Sequence, residues 1–313
     1  GNIYGDSLSP PEAGTKGPSY PSHPMDDLKE AAVNAHAGAK EFAEILSICH
    51  TVVIDTNETT GVSSFQAESP DEEALVEGGI ALGYEFAGSS TTEVRVKIAG
   101  KQQAYQLLAL IPFDSKRKRM SVLLRLPDGS FVFFCKGADN IIFDRSSDYS
   151  LVGSQDLLNE HLEIFANEGL RTLVLSMKTM TQAETEKWLA SWNTAQTSPT
   201  DREKLMEESA ALIENNLTVV GATAIEDRLQ DGVPETIADL KHAGIKLWVL
   251  TGDKLTTAVN IGYSCKLLTQ DMTLIILDKD SGDTDKPPVK ERLDKNYRKY
   301  SKLLGSVAGG PVG

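Results

Sequence analysis

Residues 105–136 read YQLLALIPFDSKRKRMSVLLRLPDGSFVFFCK, and the rhythm of this stretch decides the fold. Three runs, YQLLALIPF, RMSVLLRL and SFVFFCK, have strand length and strand composition. Pro127-Asp128-Gly129 joins the last two as a tight turn, which predicts an antiparallel meander. Just upstream, EVRVKI sets Val94, Val96 and Ile98 against charged neighbours with period two, the mark of a half-buried strand. LRTLVLSMK further on is another strand.

Helices flank the meander. In AKEFAEILSICH, residues Phe42, Ile45, Leu46 and Cys49 fall at i, i+3, i+4 and i+7, one buried face. ESPDEEALVEGG places Ser69 as N-cap, Pro70 at the first helical position and Glu72 three residues after the cap, a complete capping box. SQDLLNEHLEIFANEG closes on Gly169. Thr181 and Glu184 form a second box, and a helical stretch runs to about Asn216.

From Leu217 the grammar changes. LTVVGATAI, GVPETIADLKHAG, IKLWVL, LTTAVNIGYSC and TLIILD alternate strand and helix, which predicts a parallel α/β sheet. The expected organisation is therefore a linker over 1–36 and an antiparallel α+β domain over 37–216. Part of an α/β domain follows over 217–278, then a charged tail over 279–313 with room for one helix.

Composition narrows the function. At 40% hydrophobic and 24% charged, the chain can bury a core. A formal charge of −14 argues against nucleic acid as a partner. Cys49, Cys135 and Cys265 form no CxxC, and the five histidines form no HExxH. No apolar run reaches the roughly 18 residues of a membrane span. The first residue is Gly, so the expectation is a piece of a longer protein.

Four places could carry chemistry, and each has a plain structural reading beside it. Thr251, Gly252 and Asp253 stand where a parallel strand meets a helix, as either a cap or an anion site. Lys116 to Arg119 follow Phe113, as either a charged strand edge or a phosphate-attracting patch beside a stacking ring. Lys136 stands where a strand stops, and Arg171 where another starts; each is either an anion contact or an ordinary surface cation. Glu72 already has a structural role in its capping box.

Taken in order, SPDEEALV, FDSKRKRMSV, KGAD, EGLRTL, ATAIEDRLQDGVPETI and WVLTGDKLTTAVNIG resemble the cytosolic head of a P-type ATPase of the type IV class, the phospholipid flippases. The resemblance covers roughly residues 1–278. It departs at Thr256, where the family usually has Glu, and at Glu73, where it has a small residue. It implies an antiparallel nucleotide-binding domain joined to a partial haloacid-dehalogenase-like phosphorylation domain. The implied ligands are ATP and Mg²⁺. Phe113 would stack on adenine, with Glu72, Lys136 and Arg171 lining the pocket, and Thr251, Gly252 and Asp253 would approach the phosphates. The implied partners are the parent's membrane and actuator domains and, in the parent alone, a phospholipid, at the cytoplasmic face of a membrane. The phosphorylated Asp of an Asp-Lys-Thr-Gly-Thr motif is expected upstream of Gly1, so no catalytic residue and no metal ligand is assigned here, and the chain alone is expected to be inactive. The rival readings are a cation-pump head, a free-standing dehalogenase-type phosphatase and a non-catalytic interaction module.

Overall fold

The computed structural model describes residues 24–56, 63–226, 229–252, 255–277 and 287–304. The chain divides into two compact units, one running to Gln230 with Trp248–Ile261, the other formed by Asp231–Leu247 and residues from 262 onward.

In the larger unit, α1 (Pro24–Val33) and α2 (Ala39–Ile48) lead into a two-stranded ribbon, β1 (Val53–Thr56) with β2 (Ser63–Gln66). Then come α3 (Pro70–Ala81), β3 (Tyr84–Ser89), β4 (Glu93–Ile98), β5 (Lys101–Asp114), β6 (Arg119–Arg125), β7 (Phe131–Gly137), α4 (Asp139–Phe143) and β8 (Ser146–Asp148). The unit continues with α5 (Gln155–Asn167), β9 (Arg171–Met180), α6 (Gln182–Thr197), α7 (Arg202–Ile213) and β10 (Leu217–Ile225). The main sheet has eight strands in the order β3-β4-β5-β6-β7-β9-β10-β8, with every pairing antiparallel except β10 with β8. The expected meander is its centre. The turn after β6 closes with Gly129 N–H donating to Leu126 O at 2.9 Å, and Gly129 holds the positive φ of +89° that a side chain would resist.

Period two sorts the sheet into two cores. Met120, Val122, Leu124, Val132 and Phe134 pack with Ile45, Leu46 and Cys49 of α2 and Leu75 and Val76 of α3. Leu123, Phe133 and Cys135 pack with Leu158 and Leu162 of α5, Trp188 and Trp192 of α6 and Ile213 of α7. Both faces are covered, so β6 and β7 read as nearly continuous apolar runs. Fully burying Phe133 or Phe134 is worth about 1.5–3 kcal/mol each.

Two sequence expectations fail here. LTVVGATAI is a strand, but β10 pairs antiparallel with β9 from Thr218↔Met177 to Ile225↔Arg171, so it belongs to the main sheet and does not open a parallel one. Its own period could not show this, because a strand buried on both faces looks alike in either setting. Residues 245–250 and 273–277 form no strand. A strand persists through ladder bonds to neighbours, and Trp248 and Leu250, 86% and 99% exposed, have neither ladder nor cover. The haloacid-dehalogenase-like sheet is thus absent among the described residues.

The smaller unit holds α8 (Val233–His242) and α10 (Val289–Leu304), the one helix expected in the tail. Lys241 Nζ donates to the carbonyls of Lys266 and Leu267 at 3.2 and 3.0 Å, and Lys266 pairs with Glu235 at 2.8 Å. The expected helix LTTAVNIGYSC is present as α9 (Leu255–Ser264). No helix among the described residues is long and apolar enough to cross a membrane.

Candidate functional site

Strand register gathers the candidates at one end of the main sheet. Asp114 faces Arg119, Arg119 faces Gly137, Gly137 faces Val174, and Arg171 faces Ile225. The end of β5 with Phe113, the start of β6, the end of β7 with Lys136 and the start of β9 with Arg171 therefore form one edge, at the ~4.8 Å spacing of adjacent strands. The first turn of α3 meets this edge. Glu72 Oε1 lies 3.7 Å from Lys136 Nζ, and Asp71 takes two contacts from Arg171 Nη1 at 3.2 and 3.3 Å.

Gly137 has a steric role in this arrangement. A Cβ there would stand 2.6 Å from both Lys118 O and Arg119 Cβ. With only hydrogen at that point, the β5–β6 turn settles onto the end of β7, and Ala138 N–H donates to Lys118 O at 3.0 Å. Lys118 itself sits at φ +53°. Gly137 still belongs to β7 and α4 is only five residues long, so the expected helix N-terminus beside Lys136 is not what organises the site.

The capping box at α3 is half made, and the missing half changes the role of Glu72. Ser69 Oγ accepts from Glu72 N–H at 3.3 Å, as expected. The Glu72 carboxylate does not return to the cap. Instead it takes the Thr51 hydroxyl at 2.6 Å and the Thr51 N–H at 3.3 and 3.4 Å, and it faces Lys136. Tertiary partners outcompete a cap that water can replace.

Lys136 is the least satisfied group at this edge. It is 5% exposed, and among the described residues nothing accepts a hydrogen bond from its ammonium, which has three donors. His50 lies near it, locked neutral: Nδ1 accepts from Val52 N–H at 3.1 Å, and Nε2 faces Ser47 O at 2.9 Å as donor. Burial, followed by the Lys136 charge, pushes His50 down to about 3. Burial likewise pushes the Cys49 and Cys135 thiols up to about 12, so neither supplies a thiolate at neutral pH. At the same sheet end, a cavity of about 190 Å³ is lined by His50, Thr51, Ser89, Ser90, Leu107 and Leu110, among others.

The four cations of the turn do not act together. Arg117 and Arg119 both pair with the fully buried Glu214, and Lys116 pairs with Glu207 at 3.0 Å. Lys118 is exposed and, among the described residues, is the turn's one cation with no such ion pair described. Phe113 is 59% exposed and presents a bare ring at the edge. Thr251 and Gly252 are exposed in an irregular stretch, and Asp253 lies outside the described residues. The sequence reasoning missed Thr51 and Glu214, because nothing local marks a residue whose partners lie 21 and about 95 positions away.

The profile of the P-type ATPase cytoplasmic domain N matches residues 38–232, most of the chain and the whole of the main sheet. The chain belongs to the P-type ATPase family. Its relatives include the phospholipid-transporting ATPase DRS2 of Saccharomyces cerevisiae, 46% identical over 256 residues, which span 81% of this chain and 19% of that protein. Phospholipid-transporting ATPase C887.12 of Schizosaccharomyces pombe is 43% identical over 277 residues, 88% of this chain and 22% of its own length. Phospholipid-transporting ATPase DNF1 of Chaetomium thermophilum is 42% identical over 268 residues, 84% of this chain and 17% of its own. The chain thus spans about a fifth of the length of the relatives it matches. Within this P-type ATPase segment, Glu72, Phe113, Lys136 and Arg171 all fall inside the matched domain, while Thr251 and Gly252 fall outside it.

Proposed function

We propose that the main sheet, from about residue 37 through β10, is a nucleotide-binding domain that holds ATP at the edge formed by Phe113, Lys136 and Arg171. The observation that carries this reading is Lys136: a buried ammonium whose hydrogen-bonding capacity is unmet fits an anionic or acceptor-rich ligand. Phe113 offers its exposed ring to the adenine, and Lys118 and Arg171 offer charge. The Glu72 carboxylate faces Lys136 and orients it. In this reading Mg²⁺ accompanies the nucleotide, and no residue of this chain is assigned to it. Thr251, Gly252 and Asp253 approach the phosphates once the phosphorylation domain closes.

The names of the relatives support extending this to the parent as a phospholipid-transporting ATPase, and the family description, a cytoplasmic domain, supports placing this segment at the cytoplasmic face of the membrane. Its chemistry runs through an aspartyl-phosphate. None of the 45 acidic residues here sits in an Asp-Lys-Thr-Gly-Thr setting, so this chain holds ATP without turning it over. Calorimetric titration of the 313-residue chain should give saturable ATP binding that Lys136→Gln weakens. Absence of binding, or indifference to that substitution, refutes the site. Incubation with γ-labelled ATP and Mg²⁺ should leave no hydroxylamine-labile label.

A further inference from the structure

Glu214, at the end of α7, is fully buried and lies on the face of the sheet opposite Lys136. Its carboxylate accepts from Arg119 Nε at 2.7 Å and Ser121 Oγ at 2.8 Å, and it pairs with Arg117. The same Arg117 guanidinium donates through Nη1 to Pro112 O at 3.1 Å, and Pro112 immediately precedes Phe113. Arg119 Nη1 in turn donates to Arg117 O at 3.0 Å, and Asp114 Oδ1 accepts from the N–H groups of Lys116 and Arg117 at 2.8 and 2.9 Å. One carboxylate thus anchors a network that runs through Arg117 to the peptide carrying the exposed ring.

We infer that Glu214 is a positioning residue for nucleotide binding. Through Arg117 it fixes the β5–β6 turn, so that Phe113 and Lys118 are held at the edge of β7 before any ligand arrives. It also withdraws Arg117 and Arg119 from the phosphates, leaving Lys118 to meet them. The inference rests on the nucleotide reading above. An ordered ring loses less conformational freedom on stacking, and that is the gain in affinity.

A sign test separates this role from plain electrostatics. Glu214→Gln removes a negative charge. Charge alone predicts tighter ATP binding and unchanged binding of adenosine, which has no phosphates. Positioning predicts weaker binding of both, with ATP losing at least as much as adenosine because Lys118 is displaced along with Phe113. The experiment titrates the 313-residue chain with ATP and with adenosine, at a temperature where circular dichroism shows each variant folded. The variants are Glu214→Gln, Arg117→Gln, Phe113→Ala and the double substitution Glu214→Gln with Phe113→Ala. The expected result is a three- to tenfold loss for both ligands in Glu214→Gln and Arg117→Gln, and no further loss of adenosine affinity when Glu214→Gln is added to Phe113→Ala. If Glu214→Gln does not fold, the ATP and adenosine titrations of Arg117→Gln decide alone. A melting temperature that falls while both affinities hold, or ATP binding that tightens, overturns the inference. Wild-type binding that is sensitive to Phe113→Ala but indifferent to Glu214→Gln and Arg117→Gln defeats this inference and leaves the nucleotide site standing. No wild-type binding defeats both.

Discussion

Two buried ion clusters lie at the same end of one sheet, on opposite faces, and they are built to different standards. On one face Glu214 is met by Arg117, Arg119 and Ser121. On the other, Lys136 and Glu72 approach only to 3.7 Å and, among the described residues, the ammonium donates to nothing. Both clusters bury charge, which costs several kcal/mol per ion unless geometry and hydrogen bonds offset it. The first has that compensation from within the chain. In the second, Thr51 meets the Glu72 carboxylate but nothing among the described residues accepts from the Lys136 ammonium, and a buried charge left in that state is what a ligand site looks like between ligands.

The comparison can be broken most directly by deleting the anchor of the complete cluster. Glu214→Ala leaves the buried Arg119 and the partly buried Arg117 without their carboxylate and should cost about 3–5 kcal/mol of stability, read from the urea midpoint. A cost under about 1 kcal/mol would mean that the cluster is held by something else.

Phe113→Ala should behave in the opposite way. The ring is mostly exposed, so stability should hold, while ATP affinity falls by about one to two decades, the ~1–3 kcal/mol of a base stacked on an aromatic ring. Calorimetry and thermal melting on the same sample separate the two effects.

Next in size is the pH response of the Lys136 face. His50 is held near 3 in the folded chain and titrates near 6.5 when unfolded. Below about pH 6.5 the unfolded chain binds the proton and the folded one does not. Stability should therefore fall by about 1.4 kcal/mol per pH unit as pH drops from 6.5 toward 3. Glu44, whose carboxyl is raised by burial, works the other way: its folded form holds a proton that the unfolded form releases, so it gains stability as pH falls. Denaturation of wild type and His50→Asn at pH 7 and pH 5 isolates the histidine, since only the wild type carries its slope. Equal slopes would rule it out.

The smallest effect is expected at the incomplete cluster itself. Lys136→Met keeps the length of the side chain and removes an unsatisfied charge. ATP affinity should drop about tenfold, the ~1.4 kcal/mol of one charge-assisted contact, while stability stays level or rises slightly. A large fall in stability would show that Lys136 is structural, and the contrast between the two clusters would disappear.

What the sequence determined by itself was everything with a local cause. The meander follows from period-two alternation and one Pro-Asp-Gly turn. The N-caps Ser69 and Thr181 follow from one hydroxyl three residues ahead of an N–H from which it can accept. Phe113, Lys136 and Arg171 could be singled out by the family wording around them, and strand register places them at one end of the sheet. Tertiary structure decided everything with two possible partners. Glu72 could close its capping box or turn to Thr51 and Lys136, and packing of α3 against the sheet end chose the second. Arg117 could face a phosphate or a carboxylate, and the arrival of Glu214 from α7 chose the carboxylate. LTVVGATAI could join either of two sheets, and ladder bonds from β9 claimed it, whereas residues 245–250, with the same apolar character, found no neighbour and formed no strand. A hydrogen bond or an ion pair is a property of two residues, and where those residues lie far apart in the chain, neither one's neighbours carry the record of the other.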